Sequence, residues 1–222
     1  VANSGDCRAV LGTELPCNTS GDEKYGGVVS RVGNKCFSAS QINRDHNART
    51  PLEQFLLNKD HPGEDNIVVC KNPHACYVKG RLQLTRALGD AYLKYPEFNA
   101  PPDCHRSRGR HIPAPYTPPY VQTLPEIHTR KLESGDKFLI LATDGLWDFM
   151  SPQEAVEVVA ACQEEDPAMA AELLVHETLQ RAAAEVSKAE GREVTVQDLV
   201  ALPPGRSRRT KYDDTTAVVV YL

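Results

Sequence analysis

The sequence predicts an α+β fold. Three observations point there. Strand and helix signals come in groups without regular alternation, which disfavours a doubly wound α/β sheet. Gly33-Asn34 joins two short β-prone runs, a hairpin signature. Two strongly apolar runs, Lys137 to Thr143 and residues 215–222, each lie beside an acidic turn. No internal repeat is present.

The elements follow in chain order. Val1-Ala2 and Arg8-Ala9-Val10-Leu11 flank the turn-rich Asn3-Ser4-Gly5-Asp6, giving strand, tight turn, strand. Gly26 to Phe37 holds the Gly33-Asn34 hairpin. Thr50-Pro51-Leu52-Glu53 reads as a capping box with proline at the first helical position, opening a helix to about Lys59. Ile67 to Lys71 and Tyr77-Val78 read as strands. Residues 99–125 are rich in proline and read as an extended surface loop held against the domain. Lys137 to Thr143 is continuously apolar after its first residue, as in a strand buried on both faces. Ser151-Pro152-Gln153-Glu154 is a second capping box, with a helix to about Gln163. Asp166-Pro167 opens another, with Leu173, Leu174, Leu179, Ala182, Ala183 and Val186 at helical spacing and Gly191 as its stop. Residues 215–222 form the last strand.

Composition limits the function classes. The chain has 222 residues, of which 41% are apolar, enough for one domain with a substantial core. The net charge is −5, which does not favour nucleic acid. The one basic run (Arg206, Arg208, Arg209 and Lys211) reads as a solvated loop before the last strand. No apolar run approaches the ~18 residues of a membrane span. Seven cysteines (Cys7, Cys17, Cys36, Cys70, Cys76, Cys104 and Cys162) with no CxxC pair argue against zinc and against a disulfide framework. They read as ordinary thiols in a reducing compartment. An intracellular protein is therefore expected, with the cytoplasm favoured.

Three acidic turns carry the chemistry. Asp6 follows the first strand. Asp144 ends the apolar run in Ala142-Thr143-Asp144-Gly145-Leu146-Trp147-Asp148. Asp213-Asp214 precedes the last strand. A carboxylate at the end of a buried strand is costly without a counter-charge or donors. Glycine directly after it permits close approach. Converging, such carboxylates would suit Mg²⁺ or Mn²⁺, which take oxygen ligands. Taken singly, each Asp could equally be a turn former, and their spacing does not show that they converge.

The segments Val1 to Val10, Leu84-Thr85-Arg86-Ala87-Leu88-Gly89-Asp90, Ala142 to Asp148 and Asp213-Asp214-Thr215-Thr216 resemble four ordered motifs of the PPM (type 2C) protein serine/threonine phosphatases. Arg44-Asp45-His46-Asn47-Ala48, the block from Val78-Lys79-Gly80 to Pro96-Glu97-Phe98-Asn99, and Pro118-Pro119-Tyr120 are similar to the branch that holds the pyruvate dehydrogenase phosphatases and a large plant-type group. The plant-type group matches more closely, notably through Gly89 to Lys94.

The resemblance implies an αββα sandwich of two antiparallel sheets flanked by helices. It implies metal-dependent hydrolysis of phosphoserine and phosphothreonine in proteins, with two Mg²⁺ or Mn²⁺ ions activating a water. Metals there lower the water's pKa and screen the phosphate's charge. Asp144 and Asp213 correspond to ligands of the metal pair. Asp6 matches the residue associated with a third, weaker site, which Asp148 is a candidate to join. Cys7 stands where the family usually has serine. Asp90 has two readings: it orients metal-held water from outside the ligand set, or it is a turn residue paired with Arg86. His46 and His61 are expected to be structural or surface residues, and Trp147 to pack behind the metal turn.

The family's first acidic motif, its Asp-Gly-His-Gly turn and its phosphate-binding Arg do not occur in these residues. The chain is therefore expected to be the C-terminal portion of a catalytic domain, inactive alone, with phosphoproteins as partners of the whole. Two rival classes remain. A haloacid dehalogenase-type phosphatase needs Asp-x-Asp after its first strand, and Ala142-Thr143-Asp144 fails that pattern. A non-catalytic scaffold of the same family is disfavoured by retention of Asp144 and Asp213.

Overall fold

The computed structural model describes residues 1–17, 28–73, 75–99, 111–163 and 166–222. Gly26, Cys104 and Pro101-Pro102, which entered the sequence reading, lie outside them. The chain forms two compact units. One comprises Val1, Cys7–Asn43 and His128–Leu222; the other comprises Ala2–Asp6 and Arg44–Ile127.

In the first unit, five antiparallel strands form one sheet: β2 (Arg8–Leu15), β3 (Val29–Val32), β4 (Lys35–Gln41), β8 (Asp136–Ala142) and β9 (Ala217–Tyr221), in the order β3-β4-β2-β8-β9. The hairpin read from Gly33-Asn34 is formed, with Val32 opposite Lys35. The sheet's inner face carries Val10, Phe37, Phe138, Ile140 and Ala142. It packs on α3 (Pro152–Gln163) through Ala155, Val156, Val159 and Ala160, and on the start of α4 (Ala170–Glu190) through Ala170 and Leu174. Gly12 lies opposite Phe138 in the register. A Cβ on Gly12 would come within 2.3 Å of the Phe138 ring, so glycine is what lets that ring lie over β2.

Apolar continuity misled at one point. β8 is not buried on both faces: Phe138 and Ile140 are at 0%, while Leu141 is 36% exposed. Its cross-strand partner Val218 is 48% exposed and Val220, opposite Leu139, is 42% exposed. Strand alternation sends these side chains to the outer face.

The Ser151–Glu154 capping box is formed as expected. The Ser151 N–H donates to Glu154 Oε2 (2.8 Å), and the Glu154 N–H donates to Ser151 Oγ (3.3 Å). Arg181 Nη1 adds an ion pair at 2.6 Å. The Ser151 side-chain and backbone bonds, then Arg181, depress the Glu154 pKa from 4.5 to about 2. A depressed carboxylate pKa contributes stability above its unfolded value, and that contribution is lost as pH falls through the folded value. Glu154→Gln keeps the cap's acceptor and removes the charge, so it is expected to cost ~0.2–1 kcal/mol near neutral pH, the usual worth of a partly exposed ion pair. The cost should shrink as pH falls from 4.5 toward about 2. Urea midpoints of both proteins at pH values above and within that window measure it, and a pH-independent difference would contradict it.

α4 follows a 3₁₀ turn at Pro167–Met169 and ends before Gly191. Leu174, Ala182, Ala183 and Val186 are buried as the helical spacing predicts, but Leu173 is 40% exposed and lies off the packed stripe.

The second unit holds β1 (Ala2–Asn3) paired with β7 (Glu126–Ile127), the hairpin of β5 (Val68–Asn72) and β6 (Ala75–Val78), and α1 (Pro51–Asp60). The strands flanking Asn3–Asp6 thus do not pair with each other. The capping box expected at Thr50 is absent: Thr50 makes no side-chain cap. Glu53 is drawn inward instead, where its Oε2 accepts from Thr85 Oγ1 at 2.5 Å. This unit's core joins Leu57, Ile67, Val78, Leu93, Ile112, Tyr120 and Val121. Buried Glu64 accepts from Lys79 Nζ (2.7 Å), from Thr117 Oγ1 and from Tyr120 Oη (3.0 Å). His61 Nδ1 lies 3.0 Å from Thr117 Oγ1. These bonds tie residues 117–120 to the end of α1.

The cysteine reading needs correction. Cys17 is bonded to Cys36 and Cys70 to Cys76. Strand register, not sequence spacing, brings them together: Cys36 lies opposite Leu15, two residues before Cys17, and Cys70 lies directly across from Cys76. Cys162 is a buried free thiol. Among the described residues, no helix is long and apolar enough to cross a membrane.

Candidate metal centre

Two of the acidic turns meet in the first unit. After β8 the chain enters α2 (Asp144–Trp147). Thr143 fastens this turn to the start of β9. Its N–H donates to Thr216 O (3.1 Å), its hydroxyl donates to Asp214 O (3.1 Å), and that hydroxyl accepts from the Thr216 N–H (3.0 Å). Gly145 is the point of closest approach. A Cβ there would lie 2.8 Å from Asp214 O, 2.8 Å from Thr215 Oγ1 and 3.2 Å from Asp213 O. The glycine after Asp144 therefore exists for backbone approach, and Asp144 and Asp213 sit on two turns in direct contact. Trp147 closes the turn from inside, 6% exposed, with its Nε1–H donating to Ala142 O at 2.9 Å.

Asp148 is exposed and follows α2, its N–H donating to Asp144 O at 2.8 Å. It lies one helical turn beyond Asp144, so the two side chains fall on one face.

The basic run is not a solvated loop. Residues Arg206–Arg209 form a short helix. Arg208 Nη2 pairs with Asp214 Oδ1 (2.5 Å) and Arg209 Nη2 with Asp213 Oδ2 (3.1 Å). Burial alone would raise the Asp213 pKa. The Arg209 bond, the Asp214 N–H and the charges of both arginines outweigh it, so the group is held below the ordinary carboxylate value. Arg209 is itself pushed up, first by Asp213 and then by the charges of Asp214 and Asp144. One guanidinium thus feels all three carboxylates. A run of cations carries no signal of its partner, so the sequence does not reveal this pairing.

In the second unit, Asp6 closes the Asn3–Asp6 turn. Asn47 Nδ2 donates to its Oδ2 at 2.7 Å. Burial raises its pKa, with the Asn47 bond opposing, and the Asp45 charge adds to the rise. Ser4 Oγ in the same turn is buried without a hydrogen-bond partner. A desolvated carboxylate in a turn that also holds an unsatisfied hydroxyl suits a hydrated cation. Asp90 has a left-handed backbone (φ 48°) ahead of the 3₁₀ turn Ala91–Leu93. Among the described residues Arg86 is not paired with it; Arg86 Nη1 donates to Leu124 O at 3.0 Å.

The donors are all hard oxygens, which fits Mg²⁺ or Mn²⁺ better than softer metals. Among the described residues no three Asp, Glu, His or Cys side chains gather into one cluster.

The comparisons agree with this architecture. The family profile described as Protein phosphatase 2C matches residues 1–187. The chain is 37% identical over 224 residues to the Arabidopsis thaliana protein named probable protein phosphatase 2C 48, covering all of this chain and 50% of that protein. It is 37% identical over 222 residues to probable protein phosphatase 2C 43 of Oryza sativa subsp. japonica, covering all of this chain and 49% of that protein. The chain thus spans about half the length of these relatives. Among solved structures, serine-threonine phosphatase 2C from Toxoplasma gondii superposes with a TM-score of 0.56 at 19% identity, covering 99% of this chain and 53% of that one. A C. elegans sex determining protein superposes with a TM-score of 0.54 at 16% identity, covering 99% and 36%. Sequence and fold together place the chain in the protein phosphatase 2C family.

Proposed function

We propose that this protein hydrolyses phosphoserine and phosphothreonine in proteins, using Mg²⁺ or Mn²⁺ held by Asp144 and Asp213, with Asp6 and Asp148 as further candidate ligands. The observation that carries this reading is the Gly145 contact, which seats the Asp144 turn on the Asp213–Asp214 backbone. Two carboxylates at such a junction repel each other unless a cation lies between or beside them. Arg209 now supplies part of that charge. A divalent ion at Asp213 would compete with it.

When bound, the ion lowers the pKa of water and screens the phosphate's negative charge. The chain's own part is placement. Thr143 locks the two turns together, Trp147 packs the Asp144 turn from inside, and Asn47 orients the Asp6 carboxylate. These 222 residues alone are expected to show no turnover, since they lack an Asp-Gly-His-Gly turn. Activity is expected from a longer protein that supplies further ligands.

The test is phosphate release from a phosphothreonine peptide by the full-length protein. Activity should appear with Mn²⁺ and vanish in excess chelator. Full activity in chelator would sink the reading.

A further inference from the structure

His46 is fully buried, at 0% exposure, although it lies in a loop. Every polar atom it has is bonded. Its N–H donates to Gly5 O (3.0 Å), and its carbonyl accepts from the Thr85 N–H (2.9 Å). Its ring Nδ1 lies 3.4 Å from the Gly5 nitrogen, whose N–H donates to it. Its Nε2 lies 3.0 Å from Glu126 Oε2. An Nδ1 that accepts leaves the ring proton on Nε2, so Nε2–H donates to Glu126 and the tautomer is set by the two partners. Arg44 Nε holds the same Glu126 oxygen at 2.9 Å.

Gly5 directly precedes Asp6. His46 therefore grips both sides of the residue that aims this carboxylate, once at the carbonyl and once at the N–H. Asn3 Nδ2 adds a bond to the same Gly5 carbonyl at 2.9 Å. The next residue, Asn47, holds the carboxylate itself. The backbone bond would form with any residue here, but the Nδ1 bond to the Gly5 N–H and the Nε2 bond to Glu126 belong to the imidazole alone.

We propose that His46 is a positioning residue for Asp6. Through the chain Glu126–His46–Gly5 it fixes the turn so that the Asp6 carboxylate faces a weakly held divalent ion. This rests on the reading of Asp6 given above. Partners that orient metal ligands from outside the ligand set are typically worth 10–100-fold in metal affinity.

The experiment uses the full-length protein and Mn²⁺, with binding followed by calorimetry, kcat and KM on a phosphothreonine peptide, and thermal melting. His46→Gln keeps a donor near Glu126 but loses the acceptor for the Gly5 N–H. His46→Asn keeps an acceptor at the Nδ1 position. We expect His46→Gln to weaken the weakest Mn²⁺ site by roughly 10–100-fold, lowering kcat with KM nearly unchanged. His46→Asn should recover most of that affinity. Glu126 is partly exposed, so Glu126→Ala tolerates the loss of its partner and should weaken the same site by about 10-fold. A folded His46→Gln or Glu126→Ala protein with an unchanged weakest site would overturn the proposal, whatever its melting temperature. So would a His46→Asn protein no better than His46→Gln. Wild-type protein that binds no Mn²⁺ would instead overturn the metal reading itself, and this inference with it.

Discussion

Asp144→Asn is expected to lower phosphopeptide turnover by roughly 10³-fold or more while the protein stays folded. The substitution keeps the side chain's shape and removes its charge. A ligand lost from a metal pair forfeits several kcal/mol of charge stabilisation in the transition state, and each ~1.4 kcal/mol is tenfold in rate. A mere turn aspartate would behave differently. Its replacement would cost ~0.5–2 kcal/mol of stability and leave turnover alone. Rate and melting temperature measured on one preparation separate the two cases, and a near-wild-type rate would refute the ligand role.

Gly145→Ala is expected to damage both function and stability without touching any carboxylate. Its new methyl group would lie 2.8 Å from Asp214 O and from Thr215 Oγ1. Backbone oxygen cannot swing aside as a flexible side chain can, so the two turns must separate. Overpacking of this kind costs ~1–3 kcal/mol. A shift near 1 Å in a reacting constellation can cost about 10²-fold in rate. The expected result is therefore a fall of about that size in kcat/KM, together with a lower denaturation midpoint. A variant with wild-type kinetics and midpoint would show that the contact between the turns has no functional meaning.

Local signals were legible where nothing distant competed for the same atoms. The Gly33-Asn34 hairpin and the Ser151–Glu154 box both form as read. The same box signature at Thr50–Glu53 fails because Thr85, 32 residues away, takes the Glu53 carboxylate. Pairing of β2 with β8 spans more than a hundred residues, and no local pattern encodes it. The disulfides run against the reading of the cysteines as ordinary thiols, although Cys70 and Cys76 are only six residues apart and meet across one hairpin. Of the candidate site, Asp144 and Asp213 were visible as acidic turns, but only the Gly145 contact brings them together. The ion pairs of Arg208 and Arg209 were invisible, since a cationic run looks the same whether it faces water or carboxylates. His46 reads from the sequence as a structural or surface residue; the fold buries it completely, and its bonds to Gly5 depend on a loop conformation that the sequence does not reveal.

The central claim is that Asp144 and Asp213 share a divalent ion. It is tested most directly by Mn²⁺ titration of the full-length protein, comparing wild type, Asp144→Asn, Asp213→Asn and the double variant. Carboxylates that hold one ion are coupled, so the account predicts that either single change weakens the tight site severely. The double change should then weaken it by far less than the sum of the two. Wild-type Mn²⁺ affinity in either single variant, or effects that simply add, would contradict it.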